Sequence, residues 1–382
     1  MSKPKSKRLP QLDFLRGVAI LLVLGAHAQF VLPAERAGIF RPFVQCADRF
    51  GWTGVDLFFV LSGFLVGGLL FSEVKRTSTF DPKRFIIRRG FRIWPAYYIF
   101  LAWLVVGGMR GGHSLSAASR PLWMNFLHIQ SYVPSPAMHT WTLAVEEHFY
   151  LLLPLLLWAL IQRHRIAWFP GIFGVIALCC LTMRYVACLL VSHVYIHHDA
   201  PPPWMYVVQT PTHMRIDALM CGVLIAYLHH LRPETFDLWR ASARARIVLF
   251  CAGILLLTPA LLWDTSTTML LSIGLTSLYA GYACILIACL YSPPDAFRNP
   301  FGRLVGWVGV WSYSIYLFHF KEGVDRGTHL LPHLSHMNPS MRWLIAVSVY
   351  VICAVGFGFG FGTLIEKPTL AIRDRWFPKE PA

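Results

Sequence analysis

A chain of 382 residues that is 56% hydrophobic and 14% charged, with a mean hydropathy of +0.52, is too apolar for an ordinary water-soluble domain and reads as a polytopic membrane protein. Its net charge of +15 does not point to nucleic acid, because the cations sit in short segments between apolar runs, where they set topology. Eight of the nine cysteines fall within predicted spans and Cys46 alone lies in a loop, so no disulfide framework or Cys-x-x-Cys metal knuckle is present.

Lys3, Lys5, Lys7 and Arg8 precede the first apolar run and place the N-terminus in the cytoplasm. That run, Asp13 to Pro33, carries Arg16 near its start and His27 near its far end. Eleven residues of helix are about three turns plus ~20°, so both side chains leave one face at roughly 16 Å of axial separation. An ionisable group in a membrane helix is costly, and such a face belongs to the bundle interior or to water. Ala26-His27-Ala28 imitates a leader-peptidase site. Against a cleaved leader, Asp13 and Arg16 interrupt the edge of the apolar run and further spans follow.

Ten spans are predicted, at 14–32, 52–71, 93–109, 143–161, 169–192, 214–228, 247–263, 268–291, 304–320 and 343–365. The segments this assigns to the cytoplasm hold 23 of the 34 Lys and Arg and the outer loops hold eight, which supports ten spans with both termini inside. The sixth is short and polar, and is expected to be tilted or displaced. The organisation is a basic segment at 1–13, one all-α membrane domain at 14–366 and a cytoplasmic tail at 367–382, with Glu366-Lys367-Pro368 as the stop. The longer outer loops, at 33–51, 110–142, 193–213 and 321–342, are rich in Trp, Tyr, His and Pro, including Pro201-Pro202-Pro203-Trp204. They suit either an acceptor site or an interfacial aromatic belt.

Four constellations carry chemistry. In the second span, Asp56 lies as far inside the outer boundary as His27 does on the antiparallel first span. The two can meet, and a carboxylate on one imidazole nitrogen would fix the tautomer; alternatively Asp56 caps its helix, with Gly54 and Gly63 permitting close packing. Arg84, Arg88, Arg89 and Arg92 enter the membrane on one helix, with Arg89 and Arg92 sharing a face that suits either phosphates or anionic lipid. His139-Thr-Trp141-Thr-Leu-Ala-Val-Glu146-Glu147-His148-Phe-Tyr150 concentrates acids and imidazoles at the outer interface. Glu146 and Glu147 are about 100° apart, so one of them is expected to face a shared cavity. His139 and His148 do not form a His-Glu-x-x-His pair, and no metal is predicted. Arg184, Arg215-Ile-Asp217 and Ser312-Tyr-Ser-Ile-Tyr-Leu-Phe-His319 complete the set, each with an alternative reading as an interhelical ion pair or hydrogen bond.

Taken in order, Arg16-x10-His27, the run Gly51-x-x-Gly54-Val-Asp56-Leu-Phe-Phe-Val-Leu-Ser-Gly-Phe64, Arg89-x-x-Arg92, Trp141-Thr-Leu-Ala-Val-Glu146, Arg215-x-Asp217 with Gly222, the serine and tyrosine run to His319, and Glu366-Lys-Pro resemble the membrane acyltransferase-3 family. The resemblance covers nearly the whole chain. It implies a ten-helix bundle in the plasma membrane that takes an acyl group, usually acetyl, from cytoplasmic acyl-CoA. The acceptor would be a hydroxyl of a cell-surface polysaccharide or lipid-linked sugar. Acyl-CoA is then a substrate, and no bound cofactor is implied. The resemblance assigns Arg16 to orienting the donor, Arg89 and Arg92, with Arg88 beside them, to its phosphates, and His27 to catalysis. Glu146 matches the family's acid, and His139 falls where many members have a histidine before Trp141. On the acceptor side stand His139, Trp141, Arg215 and His319.

Two routes are open: His27 deprotonates the acceptor with Asp56 or Glu146 orienting it, or His27 carries the acyl group covalently. Some relatives carry an added extracytoplasmic esterase-like domain. This chain reaches Ala382 without one, so it is expected to act alone or with a separate extracytoplasmic partner. After His319 it reads Phe320-Lys321-Glu322, where many members continue with proline. Acylation of a small glycoside such as a macrolide remains an alternative. So does transport of lipid-linked sugars, although no inverted repeat is visible and the Arg16/His27 pairing argues against it.

Overall fold

In lipid each backbone N–H and C=O must be satisfied within its own segment, so long apolar runs have to become helices. The computed structural model describes residues 9–195 and 205–378, and among them there is no strand. Lys3, Lys5, Lys7, Arg8, the 201–204 segment and 379–382 lie outside the described residues. The helices that matter here are α1 (Pro10–His27), α2 (Arg41–Gly51), α3 (Gly54–Thr77), α4 (Pro82–Arg110), α5 (Trp141–Gln162), α6 (Phe169–Tyr195), α7 (Thr212–Leu231), α8 (Ala243–Leu256), α9 (Leu275–Leu290), α10 (Pro300–Val310), α11 (Ser312–Phe318), α12 (Pro339–Phe361) and α13 (Lys367–Trp376).

Among the described residues nine helices are long and apolar enough to cross a membrane. The predicted span at 304–320 is built differently: α10 and α11 meet at Trp311, whose ψ of 8° interrupts the helix, and a π-helical turn, His319–Val324, follows. Hydropathy registers apolar length and is blind to such breaks. The sixth span runs Thr212–Leu231, longer than expected. A helix, α2, forms in the predicted outer loop before the second span. Nor does helix end at Glu366-Lys367-Pro368: a π-helical turn, Gly362–Glu366, leads into α13, whose first turn accepts Pro368 because the N–H proline lacks has no helical partner there.

The helices differ in what surrounds them. The apolar windows within Ile166–Val191 and Ala243–Leu262 are 22% and 17% buried, against 67% for Thr212–Leu231. Val175, Leu178, Ile247 and Leu255 are therefore the kind of exposed apolar side chain that lipid covers.

The chain forms two units. The first comprises Met1–Leu61, Glu234–Leu261 and Gly281–Phe359. In it α1 lies along α10 at very close range: a Cβ on Gly17 would come 2.0 Å from the carbonyl oxygen of Val305, and one on Gly309 would come 1.9 Å from that of Asp13. Small residues at a helix crossing let the backbones approach, which in lipid is a main source of association. Tyr350 on α12 donates its hydroxyl to the Leu24 carbonyl at 3.1 Å, and Trp343 packs on Leu32, Ala37 and Val44.

The second unit comprises Ser62–Pro233, Leu262–Ala280 and Gly360–Ala382. Here Gly63 admits the Leu219 carbonyl, which a Cβ would meet at 1.8 Å. Phe71 lies edge-on to Phe169 and Tyr227. Arg184 and Asp217, almost fully buried, form an ion pair at 2.8 Å, and Arg184 also donates to the Met214 carbonyl and to Thr276. A buried charge of this kind is tolerated only when paired and hydrogen-bonded, so this is a joint between helices.

Candidate active site

In the first unit the chemistry gathers where α1 ends. His27 is the last residue of α1, and its Nδ1 lies 2.8 Å from Nε2 of His319. The two rings are stacked, 4.9 Å apart and 16° from parallel. His319 is fully buried and opens the π-helical turn after α11, a local widening of the helix that recurs at functional sites. Its Nδ1 lies 2.7 Å from the carbonyl oxygen of Tyr316. Phe30 and Phe320 close around the His27 ring at 5.7 and 4.7 Å, so the residue standing where many relatives have proline is part of the wall.

The group on Nδ1 of His27 is an imidazole, that of His319, which the sequence reading placed among acceptor contacts. Asp56 is 1% exposed in the first turn of α3, its N–H donating to the Thr53 carbonyl at 2.9 Å. It lies within electrostatic reach of Tyr282, whose hydroxyl is 2.6 Å from Thr53 Oγ1. Arg16, three residues after Asp13, pairs with it at 3.3 Å.

The second unit holds a polar centre between α4 and α5. Tyr150 donates to Glu146 Oε2 at 2.7 Å, and Ser62 Oγ lies 2.5 Å from the same hydroxyl. Arg89 donates to that hydroxyl, and its guanidinium stacks over the Tyr150 ring, 3.9 Å from the centroid. Trp94 Nε1 donates to Glu147 Oε2 at 2.9 Å. Arg89 interacts electrostatically with both Glu146 and Glu147. The physical reason is that a buried guanidinium needs compensating charge, and two adjacent acids supply it through different partners. Arg92 adds a second cation within reach of Glu146.

Arg88 parts company with Arg89 and Arg92. It pairs with Asp374 at 3.0 Å and donates to the Phe377 carbonyl, while Arg84 donates to that of Pro378 and Phe91 packs on Trp376. One helical step turns it to α13, where it clasps that helix.

Of the acceptor-side residues, Trp141 and Arg215 come together: the guanidinium, 3% exposed as a residue, is 6.0 Å from the indole. His139 stands edge-on to Phe100 at 5.8 Å. His148 Nδ1 is 2.7 Å from Thr212 Oγ1 and, with Tyr132, His213 and Met183, lines a cavity of about 550 Å³ beside α6. The loop before α5 is tied down by buried amides: Gln130 donates to Tyr97 Oη and the Thr140 carbonyl, both at 3.0 Å, and Asn125 donates to Thr140 Oγ1 at 2.9 Å. In that loop His128 stacks on Tyr97 at 4.6 Å with both ring nitrogens buried and unpartnered. Burial, aided by the nearby His148, pushes its pKa down to about 4. Among the described residues no group of three or more His, Cys, Asp or Glu could hold a metal ion.

A family profile described as an acyltransferase domain matches residues 9–359, nearly the whole chain. The chain belongs to the acyltransferase-3 family. It is similar to a Bacillus subtilis protein provisionally named a peptidoglycan O-acetyltransferase, 27% identical over 94% of this chain and 54% of that one. A Listeria monocytogenes peptidoglycan O-acetyltransferase is 26% identical over 95% of this chain and 56% of its own. A Staphylococcus aureus protein provisionally named an O-acetyltransferase is 26% identical over 83% and 51%. The chain spans about half the length of these curated relatives. No solved structure matches it.

Within this acyltransferase-3 chain, Tyr150, Ser62 and Trp94 are the site residues that sequence reasoning passed over. The signal for Tyr150 was its position four residues after Glu146, one helical turn away on the same face. Ser62 and Trp94 carried no such mark.

Proposed function

We propose that this protein transfers an acyl group, acetyl in the simplest case, from acyl-CoA to a hydroxyl of a cell-wall glycan, working in the plasma membrane with His27 as general base. The names of its relatives support the glycan acceptor. The observation that carries the reading is the His27–His319 pair at the end of a membrane helix, walled by Phe30 and Phe320, with Arg16 on the same helix roughly 16 Å away.

The chemistry follows from the parts. His27 takes the acceptor's hydroxyl proton as the oxygen attacks the thioester carbonyl carbon. The tetrahedral oxyanion collapses, the carbon–sulfur bond breaks, and the imidazolium returns the proton to the departing thiolate. Arg89 and Arg92, with Arg16 at the cytoplasmic end of α1, are the cations offered to the donor's phosphates. An acyl group carried covalently by His27 is the competing sequence of steps.

The test is thioester consumption by the purified full chain, supplied with acetyl-CoA and a cell-envelope glycan fraction. His27→Ala should lower turnover by about 10²-fold or more while acetyl-CoA binding, read separately by calorimetry, is retained. Arg89→Ala should weaken that binding. A folded wild-type protein that binds neither acetyl-CoA nor longer acyl-CoAs would overturn the reading.

A further inference from the structure

We propose that His319 is a positioning residue, which fixes His27 in the tautomer whose Nε2 carries the lone pair; this rests on the reading of His27 as the base. The argument runs from the backbone outward. A carbonyl oxygen can only accept, so the 2.7 Å contact of His319 Nδ1 with the Tyr316 carbonyl requires a proton on that nitrogen. A neutral imidazole carries one N–H, which leaves the lone pair of His319 on Nε2. That lone pair faces Nδ1 of His27 at 2.8 Å, so His27 must donate there. The proton of His27 is thereby placed on Nδ1 and its basic electron pair on Nε2. The opposite arrangement would press the lone pair of His319 Nδ1 against a carbonyl lone pair in a fully buried site, where repulsion is poorly screened.

A backbone carbonyl thus sets the tautomer of the reacting imidazole through an intervening ring. The role resembles that of the carboxylate in a hydrolase triad, which holds its histidine in one tautomer and stabilises the imidazolium that forms. A neutral ring does so without burying an anion. When Nε2 of His27 takes the hydroxyl proton, the Nδ1–H···Nε2 bond becomes charge-assisted and strengthens. The positive charge is shared with His319 as the Nδ1 proton of His27 moves part-way along that bond, with Nδ1–H of His319 still held by the Tyr316 carbonyl. The Nδ1 proton moves back when Nε2 gives its own to the thiolate sulfur, so no proton is gained or lost over the cycle.

The experiment compares wild type, His319→Leu, His319→Gln and His27→Ala as full chains, with folding confirmed by monodispersity. The first readout is kcat and KM for acetyl-CoA; the second, which needs no turnover, is the ¹⁵N spectrum of histidine-labelled protein, with His27 assigned by difference from His27→Ala. His319→Leu should lower kcat about 10²-fold with KM unchanged and should release His27 from the Nδ1–H form. His319→Gln, whose Oε1 can accept from Nδ1–H, should return kcat to within about tenfold of wild type and restore that form. A His319→Leu variant with wild-type kcat and an unchanged His27 tautomer overturns the proposal, as does His319→Gln as inactive as His319→Leu. An inactive His27→Ala beside a wild-type-like His319→Leu removes only the relay. An active His27→Ala removes the base assignment and the relay with it.

Discussion

Tyr150 shows how one hydroxyl organises a buried charge. It donates to Glu146, receives Arg89 and lies beside Ser62, while its ring carries the guanidinium on its face. Replacing it by Phe keeps the cation–π contact and removes the hydrogen bonds, leaving an arginine and a carboxylate each one partner short. Tyr150→Phe is expected to destabilise the protein by about 1–3 kcal/mol, seen as a lower thermal midpoint in detergent. An unchanged midpoint would mean that the hydroxyl is not the link between the two charges. This residue also marks how far the sequence could be read. Arg16, His27 and Glu146 stand out because an ionisable group in an apolar run is conspicuous, and Arg89 because it belongs to a cluster of four arginines at the head of one. Tyr150 and Trp94 do not, since aromatic residues are ordinary furniture of membrane helices. The contact of His319 with His27 was hidden for a different reason: hundreds of residues separate the two rings, and no local pattern reports such a contact.

At the scale of helices, apolar length was enough to locate nine of the ten predicted spans among the described residues, and the close packing expected at Gly54 and Gly63 is present, with Cβ positions 2.5 and 1.8 Å from carbonyl oxygens. The crossing of α1 on α10 was not foreseen, because Gly17 and Gly309 show their purpose only when the partner backbone is in place. Gly309→Val would force the Asp13 carbonyl aside and shift the helix that carries Arg16 and His27. The expected cost is about 1–3 kcal/mol or more of overpacking, read as loss of monodisperse protein on gel filtration. Normal yield and a wild-type midpoint would count against so tight a crossing. The break at Trp311 and the π turn at His319 escaped the sequence for a related reason. Hydrogen-bond register is set by tertiary fit, and it is this register that turns His319 toward His27 and Tyr316.

For the molecule as a whole, the loop before α5 supplies a stability change with a definite sign. His128 has its pKa lowered from 6.5 to about 4 by burial, so below pH 6.5 the unfolded chain takes up a proton that the folded chain refuses. Stability from this group is fully present above pH 6.5, declines as pH falls, and is lost by about pH 4, to a total of roughly 3 kcal/mol. His128→Phe keeps a ring against Tyr97 and removes the titration. Its thermal midpoint should therefore fall less than that of wild type between pH 7 and 4.5, and equal slopes would show that His128 is not responsible.

The pairing of His27 with His319 also has a consequence in time. The two residues are 292 positions apart, both in a unit assembled from three separate stretches of chain. At about 5–20 residues per second of synthesis, the first histidine waits roughly 15–60 s in the membrane before its partner is made. Throughout that interval the nascent helix carries an ionisable end with no relay behind it. Chains abandoned before residue 319 therefore never acquire the imidazole that lies against His27 in the finished protein.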